Sequence, residues 1–436
     1  MTISAFSGLQ TSLRALQAQQ AALDTTAHNI ANVNTVGYTR QRVDLSAATP
    51  YTIPAGVTSM GGGVQLGQGV DLQGITRLRE AFGDLQYRAQ QMLSGQASTQ
   101  TQALGQAQDL AGEPSDTGIN ALLSKYYASW QDVADHPEST SAKASLVGNA
   151  QSLATAINQL DTGLAQIQTT ATSEYTQQVG PQGPVQSAAA EISQLNASIK
   201  NAVAGGQSPN DLLDRRDVLL DQLSKLGQVS TTDLGNGSIS VQFGDAASPL
   251  VNDTTVTWPQ TLTAAAGGSL GALIDLGSPA GTIGAFRSDL DTVASALTTS
   301  TNAVQPSAFW SGTTAATLAV VGTSATVAAG STGAAGANDL ALQLAGQRGG
   351  AAQTAYAGLI RDMGAGAADA QRRSDTASAL SDAADQRRQA VGGVSLDEEL
   401  TDMLKFQRGY QAASRALSTM DQMLDTLINR TGKVGL

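Results

Sequence analysis

Apolar residues recur at alternating spacings of three and four along residues 4–30. Phe6, Leu9, Leu13, Leu16, Leu23, Ala27 and Ile30 lie on this row, and Gln20 alone interrupts it. The spacing predicts a helix whose stripe runs for nearly four heptads, and a seam of that kind favours a partner helix over an ordinary globular face. A polar residue on such a seam costs stability and fixes register, the part this pattern gives Gln20. The helix should end in NVNTVGY, where Asn32, Asn34 and Gly37 tolerate turn and left-handed backbone.

A second seam lies at the other end of the chain. Leu396, Met403, Tyr410, Leu417 and Leu424 are seven apart, and Glu399, Phe406, Ala413, Met420 and Leu427 form the companion row. Between the seams the pattern is mostly helical: 77–112, 120–136, 139–178, 185–204, 209–226, 280–304 and 350–391, with Pro and Gly marking the breaks. Residues 38–76 read as extended or irregular. At 228 the period changes to two, with Ile239, Val241 and Phe243 alternating with polar neighbours after Asn236–Gly237, a hairpin signal. Strand-like pieces continue to Ile274, and 306–336 is Thr/Ala/Gly/Val-rich.

The predicted fold is mainly α with a β-containing insertion. Residues 1–35 with 396–436 form a paired terminal coiled coil. Residues 36–227, 280–305 and 337–395 form a long-helix bundle domain, and 228–279 with 306–336 form a small outer β-rich domain.

Composition narrows the function. The chain has no cysteine and two histidines, which excludes disulfide scaffolds, iron–sulfur clusters, thiol nucleophiles and His-rich metal sites. A net charge of −12 without a basic run argues against nucleic acid. No stretch of about 18 apolar residues offers a membrane span, and MTISAFSGLQ lacks the pattern of a cleaved signal peptide. Charged residues make up only 14%, against roughly 25% in average soluble domains.

Catalytic signals are weak. Asp397, Glu398 and Glu399 read as charge favourable at a helix N-terminus. His28 reads as a polar residue near the end of the first helix, and His136 before Pro137 as a helix stop. Gly67–Gln68–Gly69 fails the spacing of a dinucleotide fingerprint, and Thr431–Gly432–Lys433 lacks the rest of a P-loop. The pairs Arg215–Arg216, Arg372–Arg373 and Arg387–Arg388 read as solvated faces. No enzyme activity, cofactor or metal is expected. In isolation a terminal helix of this length is marginal in water, so both ends are suited to folding on assembly.

The stretch SGLQTSLRALQAQQAALDTTAHNIANVNTVGYTRQ resembles the signature of the flagellar rod, hook and hook-associated axial proteins. Within that family, Tyr38 to Gln41 in GYTRQ resembles the hook-associated protein 1 branch. So do EPSDTGINALLSKYYASWQDVADHPES at 113–139, GQSPNDLLDRRDVLLDQLSKL at 206–226, and the block 394–429.

The resemblance implies a structural role at the junction of flagellar hook and filament. It implies partners: the hook subunit, hook-associated protein 3, identical subunits in a helical ring, and a cytoplasmic export chaperone on the C-terminal helix. It implies an extracellular location reached by type III export without a cleaved signal. Many members carry a larger outer region, whereas the β-like insertion here is modest. Phe6, Leu9, Leu13, Leu16, Leu23, Ile30, Leu396, Met403, Phe406, Tyr410, Leu417, Met420, Leu424 and Leu427 are the expected assembly interface. Asn32, Asn34, Gly37 and Tyr38 are expected to shape the turn into the next domain. The alternatives are another axial component, such as hook-associated protein 3 or a distal rod protein, and a secreted adhesin.

Overall fold

The computed structural model describes residues 5–53 and 64–429, with the side chains of Ala5, Phe6, Ile53, Val64, Leu427 and Ile428 left out. Phe6 and Leu427 of the expected interface therefore lie outside the described side chains. The chain begins with α1 (Ala5–Ala31). Strands β1 (Gln41–Ala47), β2 (Tyr51–Ile53), β3 (Val64–Leu66) and β4 (Val70–Arg77) follow. They form an antiparallel ribbon in which β1 pairs with β4 and β2 with β3, with a bulge at Asp44/Leu45. A two-stranded ribbon is marginal alone in water. This one lies against α1, where Gly69 meets Thr11 and Arg14 pairs with Asp71 at 3.3 Å. The ribbon thus packs on the terminal helix, where the sequence pattern had grouped it with the bundle.

The bundle then unfolds along the chain as α2 (Ala81–Ala111), α3 (Ile119–Asp135), α4 (Thr140–Val179), α5 (Pro184–Ala204) and α6 (Asn210–Leu226). Local chemistry sets these limits. Gly112 takes a left-handed φ of 56° after α2, and α3 ends at His136 before Pro137. Ser139 caps α4 by accepting from the Ala142 amide at 3.3 Å, and Pro184 occupies the first turn of α5, where a missing amide costs nothing.

An antiparallel meander follows: β5 (Val229–Asp233), β6 (Ile239–Phe243), β7 (Val251–Asn252) and β8 (Thr255–Val256). The expected alternation holds, since Ile239, Val241 and Phe243 are buried. The turn between β5 and β6 is longer than a two-residue hairpin, and Gly235 and Gly237 both take positive φ. Next come α7 (Gly268–Gly277), α8 (Thr282–Asn302), β9 (Trp310–Ser311), β10 (Ala319–Val320), α9 (Asp339–Ala345), α10 (Ala351–Gly392) and α11 (Leu396–Asn429).

Two expectations for the outer β-rich insertion fail here. Residues 268–277 are helical: a short Gly-bounded apolar run has the same hydropathy as a buried strand, and the facing helices decide. Residues 306–336 do not form an outer layer. Phe309 and Trp310 are fully buried beside Tyr126 and Trp130 of α3, with ring centroids 5.4–6.3 Å apart. The Trp310 indole donates to the Tyr126 hydroxyl at 3.1 Å. One hydrophobic core runs from Leu104 to Ala370 and takes in β6, α7 and the 309–329 segment. Among the described residues, none of α1 or α11 belongs to that core.

Candidate assembly interface

α1 and α11 lie antiparallel, side by side. A Cβ at Gly8 would stand 3.0 Å from Cε of Met420, and one at Gly409 would stand 2.7 Å from Oε1 of Gln19. Asn29 donates to Glu399 at 3.0 Å. The eleven steps from Gly8 to Gln19 are matched by eleven steps from Met420 back to Gly409, and the ten steps from Gln19 to Asn29 by ten from Gly409 back to Glu399. The pairing therefore keeps one register along its length.

The predicted seam of α11 is the face turned inward. Met403, Phe406, Tyr410, Ala413, Leu417, Met420 and Leu424 are half-buried, while Leu396 is 46% exposed. Leu400 and Leu404 continue an exposed stripe beside it. α1 behaves differently. Its most buried positions are small or polar: Ser12, Ala18, Ala22, Thr25, Thr26 and Asn29. Leu9, Leu16, Leu23 and Ile30 are half-buried on the flank, and Leu13 is 43% exposed. α1 is wedged between the ribbon and α11, so small side chains fill its most crowded face, the large apolar row stays half-buried on the flank and Leu13 alone of those leucines reaches well into solvent. Gln20, expected to fix register, is exposed.

The turn after α1 is built from hydrogen bonds. Asn32 donates to the His28 carbonyl at 3.0 Å and closes the last turn of the helix. Gly37 has φ +79°, and a side chain there would run into Val218 of α6. Asn34 is exposed and Tyr38 half-buried. The Tyr38 hydroxyl donates to Oδ1 of Asn29 at 2.7 Å. Burial, then the charges of Asp211, Asp214 and Glu399, push the phenol far above its ordinary range, so it stays a donor.

Sequence reasoning missed the centre of this region. Asn29 and Glu399 are each 2% exposed. The Asn29 amide donates to the Gln41 carbonyl and to Glu399, and its oxygen accepts from the Gln41 amide at 3.0 Å. Arg40 places Nε 2.6 Å from the other Glu399 oxygen and Nη1 2.6 Å from Glu398. Glu399 is thus a buried carboxylate as well as a charge at a helix start. The backbone of Arg40 donates to the Gly392 carbonyl at 2.8 Å, at the break between α10 and α11.

The same turn is tied to the bundle through α6. The Thr39 amide donates to Asp214 at 2.9 Å, the Gln41 side chain to Asp211 at 2.8 Å, and Asn210 to Gln41 at 3.2 Å. Two motifs 170 residues apart, GYTRQ and NDLLDRRD, are therefore one site. Asp214, Asp217 and Asp221 fall on one face of α6 at spacings of three and four. Asp217 meets Arg77, Arg79 and Arg88 at 2.9, 2.9 and 3.2 Å. Asp221 meets Arg88 at 2.8 Å and also Arg388 of α10. Burial works against the Asp217 charge, but Arg79, Arg77 and Arg88 outweigh it and hold the carboxyl below its ordinary range.

One arginine in each of two pairs is thus not solvated, while Arg215 and Arg387 beside them are exposed. Arg388 stacks over the Tyr87 ring at 3.9 Å, and Arg216 is buried, donating to Asn196 and the Gly237 carbonyl. Arg372 and Arg373 are exposed, as expected. Among the described residues there is no His/Cys/Asp/Glu group suited to a metal ion and no helix long and apolar enough to cross a membrane.

Comparison with known proteins gives the following matches. Residues 104–265 match the model of the flagellar hook-associated protein FlgK helical domain. Residues 9–39 match the flagella basal body rod protein family, and 376–430 the C-terminal family of flagellar basal body rod FlgEFG proteins. Flagellar hook-associated protein 1 of Bacillus subtilis is 31% identical over 512 aligned positions, covering 99% of each chain. That of Salmonella typhimurium is 30% identical over 52% of this chain and 40% of its own. The flagellar hook junction protein FlgK from Burkholderia pseudomallei aligns with a TM-score of 0.45 at 25% identity, over 51% of this chain and 43% of that one.

Proposed function

The chain belongs to the flagellar hook-associated protein 1 family, and from that premise we propose that it joins the flagellar hook to the filament as a structural subunit. It is a component of the flagellar axial structure, and its relatives are structural flagellar proteins. The observation that carries the reading is the division of the molecule. The bundle completes its own core, whereas α1, α11 and the ribbon lie outside that core and keep apolar rows open to solvent. Each further leucine buried against a neighbour contributes about 1.5–3 kcal/mol, so such rows gain most when a second subunit covers them.

In this proposal residues 1–35 and 396–436, with the ribbon, form the assembly unit, and the bundle faces outward. Leu9, Leu13, Leu16, Leu23 and Ile30 from α1, with Leu396, Leu400 and Leu404 of α11, meet identical subunits in a helical ring, while the α11 seam packs on α1. The hook subunit lies on one side and hook-associated protein 3 on the other. An export chaperone holds α11 before assembly, and the protein works outside the cell after export through the flagellar channel.

Electron microscopy of a strain lacking this protein tests the reading. Hooks without filaments, with filament subunit lost to the medium, support it, and intact filaments would sink it. A variant lacking 1–30 and 396–436 should stay folded and monomeric yet fail to restore filaments.

A further inference from the structure

We propose that Glu399 is the register pin of the terminal helix pair. This goes beyond the assembly reading and rests on it, because identical subunits in a ring must share one axial register.

The seam of α11 is a poor ruler by itself. A slip of one heptad exchanges Met403 with Tyr410, Phe406 with Ala413, and Leu417 with Leu424, all apolar. The most buried apolar positions of α1 are small, Ala18 and Ala22, and Gly8 and Gln19 are among the residues set against α11. Phe406 and Tyr410 are the bulky members of the seam, yet both are only half-buried, so neither is enclosed in a hole that a single alignment provides.

Glu399 is different in kind. It is the one charged residue on the seam positions of α11. Its carboxylate is enclosed, and one oxygen takes the Asn29 amide at 3.0 Å while the other lies 2.6 Å from Arg40 Nε. Asn29 is itself committed to both the carbonyl and the amide of Gln41, so its position is set by β1. Arg40 is tied to the Gly392 carbonyl, so its position is set by the end of α10. In a heptad slip Glu399 would face Ala22 and lose both partners, leaving a buried charge unpaired. A buried polar contact that only one alignment satisfies is the best-attested way for a helix pair to select register.

The rival explanation is covalent. Only residues 393–395 separate α10 from α11, and that short link restrains sliding on its own. Disulfide mapping separates the two, and the absence of native cysteines gives a clean background. The full chain would carry Gly8→Cys with Met420→Cys to report the observed register. Gly8→Cys with Ala413→Cys would report a heptad slip. Both pairs are oxidised in the assembled protein and read by gel mobility.

With Glu399 intact, only the 8/420 pair should crosslink. With Glu399→Leu, which keeps the helix apolar and folded, the 8/413 product should rise about tenfold. Glu399→Gln, which still accepts from Asn29, should restore a single register. A Glu399→Leu chain that crosslinks only at 8/420 would overturn the proposal in favour of the covalent link. So would a native chain that crosslinks at both pairs or at neither. If the protein were dispensable for filaments, the assembly reading would fail while these crosslinks stood, so the two failures are distinguishable.

Discussion

Replacing Asp217 by asparagine removes the charge at which three arginines converge. Its side chain is 16% exposed, and those of Arg77, Arg79 and Arg88 are 15%, 14% and 8% exposed. Breaking a buried ion pair from one side costs about 3–5 kcal/mol, because the partner is left charged and dry. Here each arginine keeps a second carboxylate: Arg77 keeps Asp214, Arg79 keeps Asp84 and Arg88 keeps Asp221. The loss should therefore fall at the lower end, about 3 kcal/mol. Urea unfolding followed by tryptophan fluorescence measures it, since Trp130 and Trp310 are both buried in the bundle. At a slope of about 3 kcal/mol per molar, the midpoint should drop by about 1 M. The exposed pair Arg361–Asp362 is the control, and Asp362→Asn should change stability by less than about 1 kcal/mol. The sign with pH is also fixed. The folded carboxyl lies below 3.8, so the unfolded chain takes up its proton first as pH falls. The Asp217 contribution is complete above the unfolded value and fades through and below it, so the native chain and the variant should converge in stability in strong acid. A loss no greater than that of the control, or a gap that persists unchanged into strong acid, would refute this account of the joint.

Asn29→Ala removes four hydrogen bonds from one buried position and should cost about 1–3 kcal/mol. Hydrogen exchange should speed up in α1 and the start of α11 while α3 and α4 stay protected. Leu13 is exposed, so Leu13→Asp should leave the stability from urea unfolding within about 0.5 kcal/mol of the native value. Motility should nevertheless be lost, and a motile strain would remove this position from the interface. Trp310→Ala should cost about 3–5 kcal/mol, since it opens the aromatic core and removes the indole donor from the Tyr126 hydroxyl, which keeps Thr301. A melting curve unchanged by that substitution would return 306–336 to the surface.

The terminal helices were legible because their heptads are long, and the α11 seam faces inward as read. The apolar row of α1 was legible too, but the most buried positions of that helix are the small residues Ala18 and Ala22. Periodicity locates a stripe but cannot weigh two neighbours crowding one helix, which is why Ala18 and Ala22 displaced Leu13. The 306–336 segment concealed its place because Phe309 and Trp310 are its only large aromatics amid Thr, Ala and Gly. The joint was illegible for a different reason. Asp217 and Arg77 stand 140 positions apart, and Asn29 and Glu399 370 apart. Charge patterning along one helix cannot see such partners, so Arg216 and Arg388 passed for solvent-facing residues and Glu399 for a charge that only serves a helix start.

The joint also bears on when the ends can meet. Closing a free loop of 370 residues carries an entropy penalty that grows with the logarithm of its length. Once the bundle has formed, Thr39 is held on α6 and Arg40 at the end of α10. The span left to close shrinks to about eighteen residues, those from Asn29 to Arg40 and from Gly392 to Glu399, and the closure penalty falls by about 3 kcal/mol. The folded middle therefore acts as a splint for the two ends. Short-range helical contacts in the bundle should form first and the longest-range pair last, so a chain whose bundle is still unformed keeps its two apolar helices apart.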